Sequence, residues 1–142
     1  GIAVLFLDLD KFKQINDTFG HHIGDKLLIK LSHVIADCIR KSDTLCRLGG
    51  DEFAILLENI DNIRTIVNIA DNIIDAVQKT LTIDNHVINT STSIGVTFCE
   101  DGKQDSATLL QQADEAMYQA KFHGRNQTRY FQYDLLDNLN IG

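Results

Sequence analysis

Two short stretches hold carboxylates that a folded chain would have to account for. Asp8 and Asp10 end an apolar run, Ile2-Ala3-Val4-Leu5-Phe6-Leu7, and Asp51-Glu52 follow the pair Gly49-Gly50. Apolar segments flank that pair on both sides, Thr44-Leu45-Cys46-Arg47-Leu48 before it and Phe53-Ala54-Ile55-Leu56-Leu57 after it, so the stretch reads as a β-hairpin. The glycines permit positive φ and leave no side chain in the way of a large ligand. A plain hairpin turn favours Asn-Gly or Asp-Gly. Gly-Gly followed by two acids sets like charges side by side, which costs energy unless a cation offsets it. If the first strand lies beside the hairpin, Asp8 and Asp51 converge. Paired carboxylates in oxygen-only surroundings suit Mg²⁺ or Mn²⁺. Two such ions about 4 Å apart can activate an attacking hydroxyl and neutralise a phosphate and its leaving group. The plain alternative is a set of solvated, idle strand-end acids.

The elements that must position these acids follow in order. The run before Asp8 is apolar on both alternating faces, as a central strand covered on both sides would be. Asp10 is placed to cap a short helix over Lys11 to Asp17, with Phe12 and Ile15 inward. Residues 18–24 read as a loop, and Asp25 as the start of a helix with Leu27, Leu28, Leu31, Val34, Ile35, Cys38 and Ile39 on one stripe. That helix is expected to end near Arg40 or Lys41, cations suited to its C-terminal dipole. After the hairpin, Asp61 reads as the cap of a helix with Ile63, Ile66, Val67, Ala70, Ile73, Ile74 and Val77. Residues 81–100 read as β structure, with a turn at Asp84-Asn85, a long strand from Val87 to Cys99, and Gly95 marking close backbone approach or a bulge. Ser106 reads as the cap of a last long helix that Gly124 stops, and Thr128 to Tyr133 as a last strand. The fold class this predicts is α+β: a mainly antiparallel central sheet with a βαββαβ core flanked by helices.

Composition narrows the classes. The chain has 142 residues, 44% apolar and 23% charged, enough for one globular domain with a real core. Its longest apolar run is far too short to span a bilayer. A net charge of −7 argues against binding nucleic-acid polymers through their phosphates, but not against nucleotides, because a bound metal inverts the local sign. Cys38, Cys46 and Cys99 form no CxxC pair and read as small apolar residues of a reducing compartment. Gly1 reads as a cut end.

The hairpin Arg47-Leu48-Gly49-Gly50-Asp51-Glu52-Phe53 resembles the signature of the GGDEF family, the diguanylate cyclases. A second, independent segment, Leu7-Asp8-Leu9-Asp10-Lys11-Phe12-Lys13-Gln14-Ile15-Asn16-Asp17 with Thr18 to Asp25, resembles the family's other long motif. A third, Ala113 to Lys121 with Gly124-Arg125-Asn126, resembles its closing motif. The resemblance implies a palm-like domain, similar to that of nucleotide cyclases and polymerases, over 1–133, lacking the helix that usually precedes the first strand. Residues 134–142 would be a linker or tail.

The resemblance also implies roles. Asp8, the backbone carbonyl of Leu9 and Asp51 would be metal ligands, for two Mg²⁺ or Mn²⁺ ions per half-site. Asp51, Glu52 and Lys13 would be catalytic. Asn16, His21, Asp25, Gly49, Gly50, Lys121 and Arg125 would bind GTP. A carboxylate at Asp25 can accept both guanine donors, N1–H and N2–H, and would repel the N1 acceptor of adenine. Asp25 is equally placed to cap a helix. Lys121 and Arg125, four apart, can face one way for phosphates or simply suit a helix C-terminus. Arg40 and Asp43 match the family's RxxD inhibitory site, where Arg donates to guanine O6 and N7 and Asp accepts from N1–H and N2–H. A second inhibitory arginine on the next helix has only Arg64 as a counterpart, near the helix start.

The activity so implied is condensation of two GTP into cyclic di-GMP and two pyrophosphates across a transient homodimer, inhibited by product, on the cytoplasmic side where GTP is found. The alternative is a catalytically silent module that binds GTP or cyclic di-GMP within a tandem protein. Tyr130-Phe131-Gln132-Tyr133-Asp134 resembles the linker that leads to EAL phosphodiesterase domains. A purely structural oligomerisation domain leaves the paired acids unexplained.

Overall fold

The structure, a computed structural model, describes residues 1–131. Its elements are β1 (Ile2–Leu9), α1 (Phe12–Phe19), α2 (His21–Ala36), β2 (Thr44–Gly49), β3 (Glu52–Leu57), α3 (Ile63–Gln78), β4 (Leu81–Ile83), β5 (His86–Ile88), β6 (Thr92–Cys99), α4 (Ser106–Phe122) and β7 (Gln127–Tyr130). The main sheet runs β2-β3-β1-β6-β7, antiparallel except for the parallel β6–β7 pair, and β4-β5 forms a separate hairpin. This is the α+β class with the βαββαβ core, carrying an inserted hairpin and an appended α4-β7 unit.

Strand alternation builds two unequal cores. Ala3, Leu5, Leu7 and Leu9 of β1 face the larger one with Phe53, Ile55 and Leu57 of β3 and the apolar stripes of α2 and α3. Val4 faces the smaller one, with Cys99, Leu109 and Ala113, and Ile2, Phe6 and Leu56 pack against it. Burying Leu5, Leu7 and Leu9 contributes roughly 1.5–3 kcal/mol each, and this holds β1 in register. The same period of two then puts Asp8 on the α4 face, with Val4 and Phe6.

Gly95 lies opposite Phe6 on that face. A Cβ there would overlap the Ala113 carbonyl and the Met117 backbone, so the expected close approach is that of α4 onto β6. The helix backbone rests on the strand, and this sets where its last turn reaches.

Several boundaries differ from the sequence expectation. Gly20, at φ 92° and ψ 158°, reverses the chain in one residue, so there is no loop over 18–24. α2 begins at His21, and Asp25 lies inside the helix rather than at its start. α2 ends at Ala36, because Cys38 and Ile39 close tight turns back onto Ile35 and Ala36, and Arg40 turns to Asp43 instead of lying in the last helical turn. Asp10 caps nothing: Lys11 precedes α1 in the left-handed region, and no side chain caps that helix. Asn62 caps α3 in place of Asp61, and Asp105 caps α4 in place of Ser106. The strand expected over 87–99 is divided, because residues 89–91 carry the chain from the small hairpin into the main sheet. The turn at Asp84-Asn85 has positive φ at both residues, as a two-residue hairpin of this hand requires. β7 ends at Tyr130; the expected continuation through Tyr133 and the tail at 134–142 extend outside the described residues.

Candidate active site

The acids meet because β1 and β3 are neighbours. Asp8 stands opposite Glu52 in the β1–β3 register, and the Leu9 amide donates to the Asp51 carbonyl at 3.2 Å. Glu52 therefore shares the α4 face with Asp8, and is exposed there. Asp8 is a full strand residue, opposite Ser93 on its other side, and only 8% exposed.

The turn before Asp51 is held by a residue that the sequence reading left in the strand. Arg47 donates from Nε and Nη2 to the Gly50 carbonyl at 3.0 and 2.8 Å. Gly49 and Gly50 have φ of 141° and 53°, where a Cβ would be strained. The result is an irregular, fixed bend that turns Asp51 toward Asp8. Burial first, and then a hydrogen bond and charge repulsion from Asp8, push the Asp51 carboxyl up to about 6, with Lys121 pulling the other way.

Lys121, on the last turn of α4, forms an ion pair with Asp8 Oδ2. Arg125 does not follow it on the helix, which ends at Phe122; Arg125 lies in the left-handed region in the loop to β7, with Nη1 4.0 Å from Asp10. The two cations still converge on the end of β1, through Asp8 and Asp10 rather than through helical spacing.

Asp10 is the second residue whose role the sequence reading placed elsewhere. It is 4% exposed and accepts from Ser91 Oγ and Ser93 Oγ, each at 2.6 Å, and from the Asn126 amide at 3.0 Å. Its signal was the alternation Ser91, Ser93 leading into an otherwise apolar strand. Gly24 is a third: a Cβ there would overlap Asn16 Oδ1, which is buried and unpartnered.

The remaining expected residues lie apart from the acid pair or lack a contact to it. Lys13 is exposed on α1, His21 opens α2 exposed, and Asp25 is exposed one turn later. Arg40 and Asp43 are joined by a two-pronged ion pair, with Nε at 2.9 Å and Nη2 at 2.7 Å from the carboxylate. Arg40 Nη2 also donates to the Glu58 carbonyl at 2.7 Å. The Asp43 side chain is fully covered; burial alone would raise its carboxyl, but the Arg40 bonds hold it below the usual range. Glu58 follows the far end of β3, so this pair sits about 20 Å, six strand residues, from Glu52.

The donor set fits Mg²⁺ or Mn²⁺ better than zinc. Among the described residues no three His, Cys, Asp or Glu side chains gather as a metal-holding group. Two carboxylates, one with its buried Oδ1 unpartnered, match an ion that takes one or two protein carboxylates and completes its shell with phosphates and water.

The profile described as "Diguanylate cyclase, GGDEF domain" matches residues 1–127. The chain belongs to that family. This GGDEF domain is 42% identical over 129 residues to the diguanylate cyclase TpbB of Pseudomonas aeruginosa, covering 90% of this chain and 30% of that protein. It is 39% identical over 136 residues to the bifunctional diguanylate cyclase/cyclic di-GMP phosphodiesterase MucR of the same species, covering 96% of this chain and 20% of that protein. The crystal structure of the TpbB GGDEF domain superposes with a TM-score of 0.87, covering 91% of this chain and 81% of that one, at 42% identity. The active GGEEF domain of a Vibrio cholerae diguanylate cyclase gives 0.83 at 30% identity, covering 92% and 83%. The GGDEF domain thus spans less than a third of the length of each of these two relatives. No helix among the described residues is long and apolar enough to cross a membrane.

Proposed function

We propose that this GGDEF domain condenses two GTP into cyclic di-GMP, each domain of a transient homodimer holding one GTP so that each 3′-hydroxyl attacks the other's α-phosphate. The observation that carries this is the juxtaposition of Asp8 and Asp51 beside Lys121, with Asp8 Oδ1 buried and unpartnered. Asp8, the Leu9 carbonyl and Asp51 would hold Mg²⁺ or Mn²⁺, which supplies charge neutralisation at the phosphates and a more acidic attacking hydroxyl. The protein's own share is positioning and electrostatics. Lys121 and Arg125 bring positive charge to the phosphates, and the exposed Lys13 of α1 adds to it once nucleotide is bound. Glu52 faces the same side as Asp8 and assists at the hydroxyl. Asn16, whose buried Oδ1 has no partner, reads the base together with Asp25 and His21.

Arg40 and Asp43 form the product site. Their distance from the acid pair makes inhibition there indirect: product holds two domains apart, and does not compete for GTP. The preformed ion pair presents Arg40 in a fixed direction. Removing Arg40 is expected to abolish inhibition by cyclic di-GMP without changing the initial rate in its absence.

The test is GTP turnover against protein concentration with Mg²⁺, alongside Asp51→Ala. A steeper than linear rise in cyclic di-GMP, lost in the variant, supports the two-domain enzyme. Metal-dependent GTP binding without product favours the regulatory module.

A further inference from the structure

Two carboxylates and one ammonium meet at the end of β1. The Leu9 amide, bonded to the Asp51 carbonyl at 3.2 Å, brings Asp51 up beside Asp8, and Lys121 Nζ is paired with Asp8 Oδ2. This is not a loose surface pair: the Lys121 side chain is 28% exposed and that of Asp8 11%. Yet it is incomplete. One monovalent cation faces two acids, and Asp8 Oδ1 stays buried with no partner. Arg125 does not make up the difference, because its guanidinium is directed to Asp10. Lys121 also has somewhere else to go. Its Cα is fixed by the seating of α4 on Gly95, while its four-carbon stem can swing the ammonium without moving the helix.

We propose that Lys121 is a built-in surrogate cation: it holds the Asp8 carboxylate until a divalent ion takes that oxygen, and its released ammonium then serves the nucleotide phosphates. The inference rests on the reading of Asp8 and Asp51 as metal ligands. Its consequence is a change of sign. Without nucleotide, Lys121 and the metal compete for Asp8. With nucleotide, they act together, because the displaced ammonium gains a phosphate partner. A lysine serving phosphates alone would affect nucleotide binding and leave the nucleotide-free metal affinity untouched.

The experiment is Mn²⁺ titration of the domain without nucleotide, read by electron paramagnetic resonance, for wild type, Lys121→Met, Arg125→Gln and Asp8→Asn. Lys121→Met is expected to bind Mn²⁺ about tenfold tighter than wild type, and to bind GTP with Mg²⁺ more weakly. Asp8→Asn is expected to lose Mn²⁺ binding. Equal affinity in wild type and Lys121→Met overturns the exchange while the metal reading stands on Asp8→Asn. An equal gain in Arg125→Gln overturns it too, since that would be general charge removal. Absence of Mn²⁺ binding in both wild type and Lys121→Met also overturns it, and leaves the cyclase reading to the turnover assay. A second readout does not depend on a variant folding: the ¹⁵Nζ resonance of Lys121 is expected to shift with Mg²⁺ alone in the unmodified domain, and an unmoved resonance at Mg²⁺ saturation overturns the proposal.

Discussion

Asp10 and Asn126 are 116 residues apart in the chain, and the Asn126 amide donates to Asp10 Oδ2 at 3.0 Å. With Ser91 and Ser93 on the same carboxylate, Asp10 ties β1, the start of β6 and the α4–β7 loop into one unit. That loop carries Arg125, so the placement of this cation depends on an acid that is itself covered.

Replacing Asp10 by Ala leaves three donors without their acceptor. Each lost partner in such a buried site costs roughly 1–3 kcal/mol. A total near 3 kcal/mol would lower the melting temperature by roughly 10 °C, read by calorimetry. Asp10→Asn keeps a carbonyl oxygen for the Asn126 amide and is expected to lose less.

Asp51 makes the site pH-dependent. Its carboxyl titrates at about 6 when folded, against 3.8 for an unperturbed Asp. A folded value above the unfolded one contributes stability that is fully present below 3.8 and is lost as pH rises through about 6. Metal-free domain is therefore expected to lose this increment across that window, and Asp51→Asn to remove the slope in urea melts. Function has the opposite sign, because a metal needs the carboxylate. Mn²⁺ affinity and GTP turnover are expected to fall as pH drops below about 6, in a titration and a pH–rate profile.

Arg47 braces the turn by its two bonds to the Gly50 carbonyl. Arg47→Ala removes both, leaving the fold to the β2–β3 ladder and its apolar face. The melting temperature is expected to move little, while cyclic di-GMP synthesis falls by about tenfold to a hundredfold through displacement of Asp51. Arg47→Lys, which lacks the fork, is expected to recover only part of the rate. An unchanged rate in Arg47→Ala would exclude this positioning role.

Gly95→Ala forces α4 away from β6, since the new methyl would meet helix backbone rather than a side chain that can turn aside. Overpacking of this kind costs roughly 1–3 kcal/mol. Because Lys121 lies one turn beyond Met117, the change is also expected to loosen its ion pair with Asp8. Thermal melts check the first effect, and the Lys121 ¹⁵Nζ shift the second.

Much of this molecule is legible in its sequence. The all-apolar run of β1, the alternation in β3 and the stripe of α3 are local patterns, each read within one element. The glycines at 49 and 50 and the Asp84-Asn85 turn are local for the same reason: φ is decided by the residue's own Cβ. Even Gly95 could be marked as a point of close approach, although not which element approaches.

What was misread depended on partners far away in the chain. Asp10, Asp61 and Ser106 each had the chemistry of a helix cap, and a cap is decided by where the backbone turns and by which competing donors arrive. For Asp10 these were Ser91, Ser93 and Asn126, more than 80 residues on. The helix boundaries at His21 and Ala36 moved because a single glycine can reverse a chain and a buried Asp43 can claim an arginine. By itself, then, the sequence determined the acids, the hairpin that presents them and the class of sheet, since local sterics and strand periodicity suffice for those. Only the tertiary structure decided that Lys121 meets Asp8, that Asp10 is a clamp and that Arg47 braces the turn, because a side chain's partner is settled by packing between distant segments, which no spacing along the chain encodes.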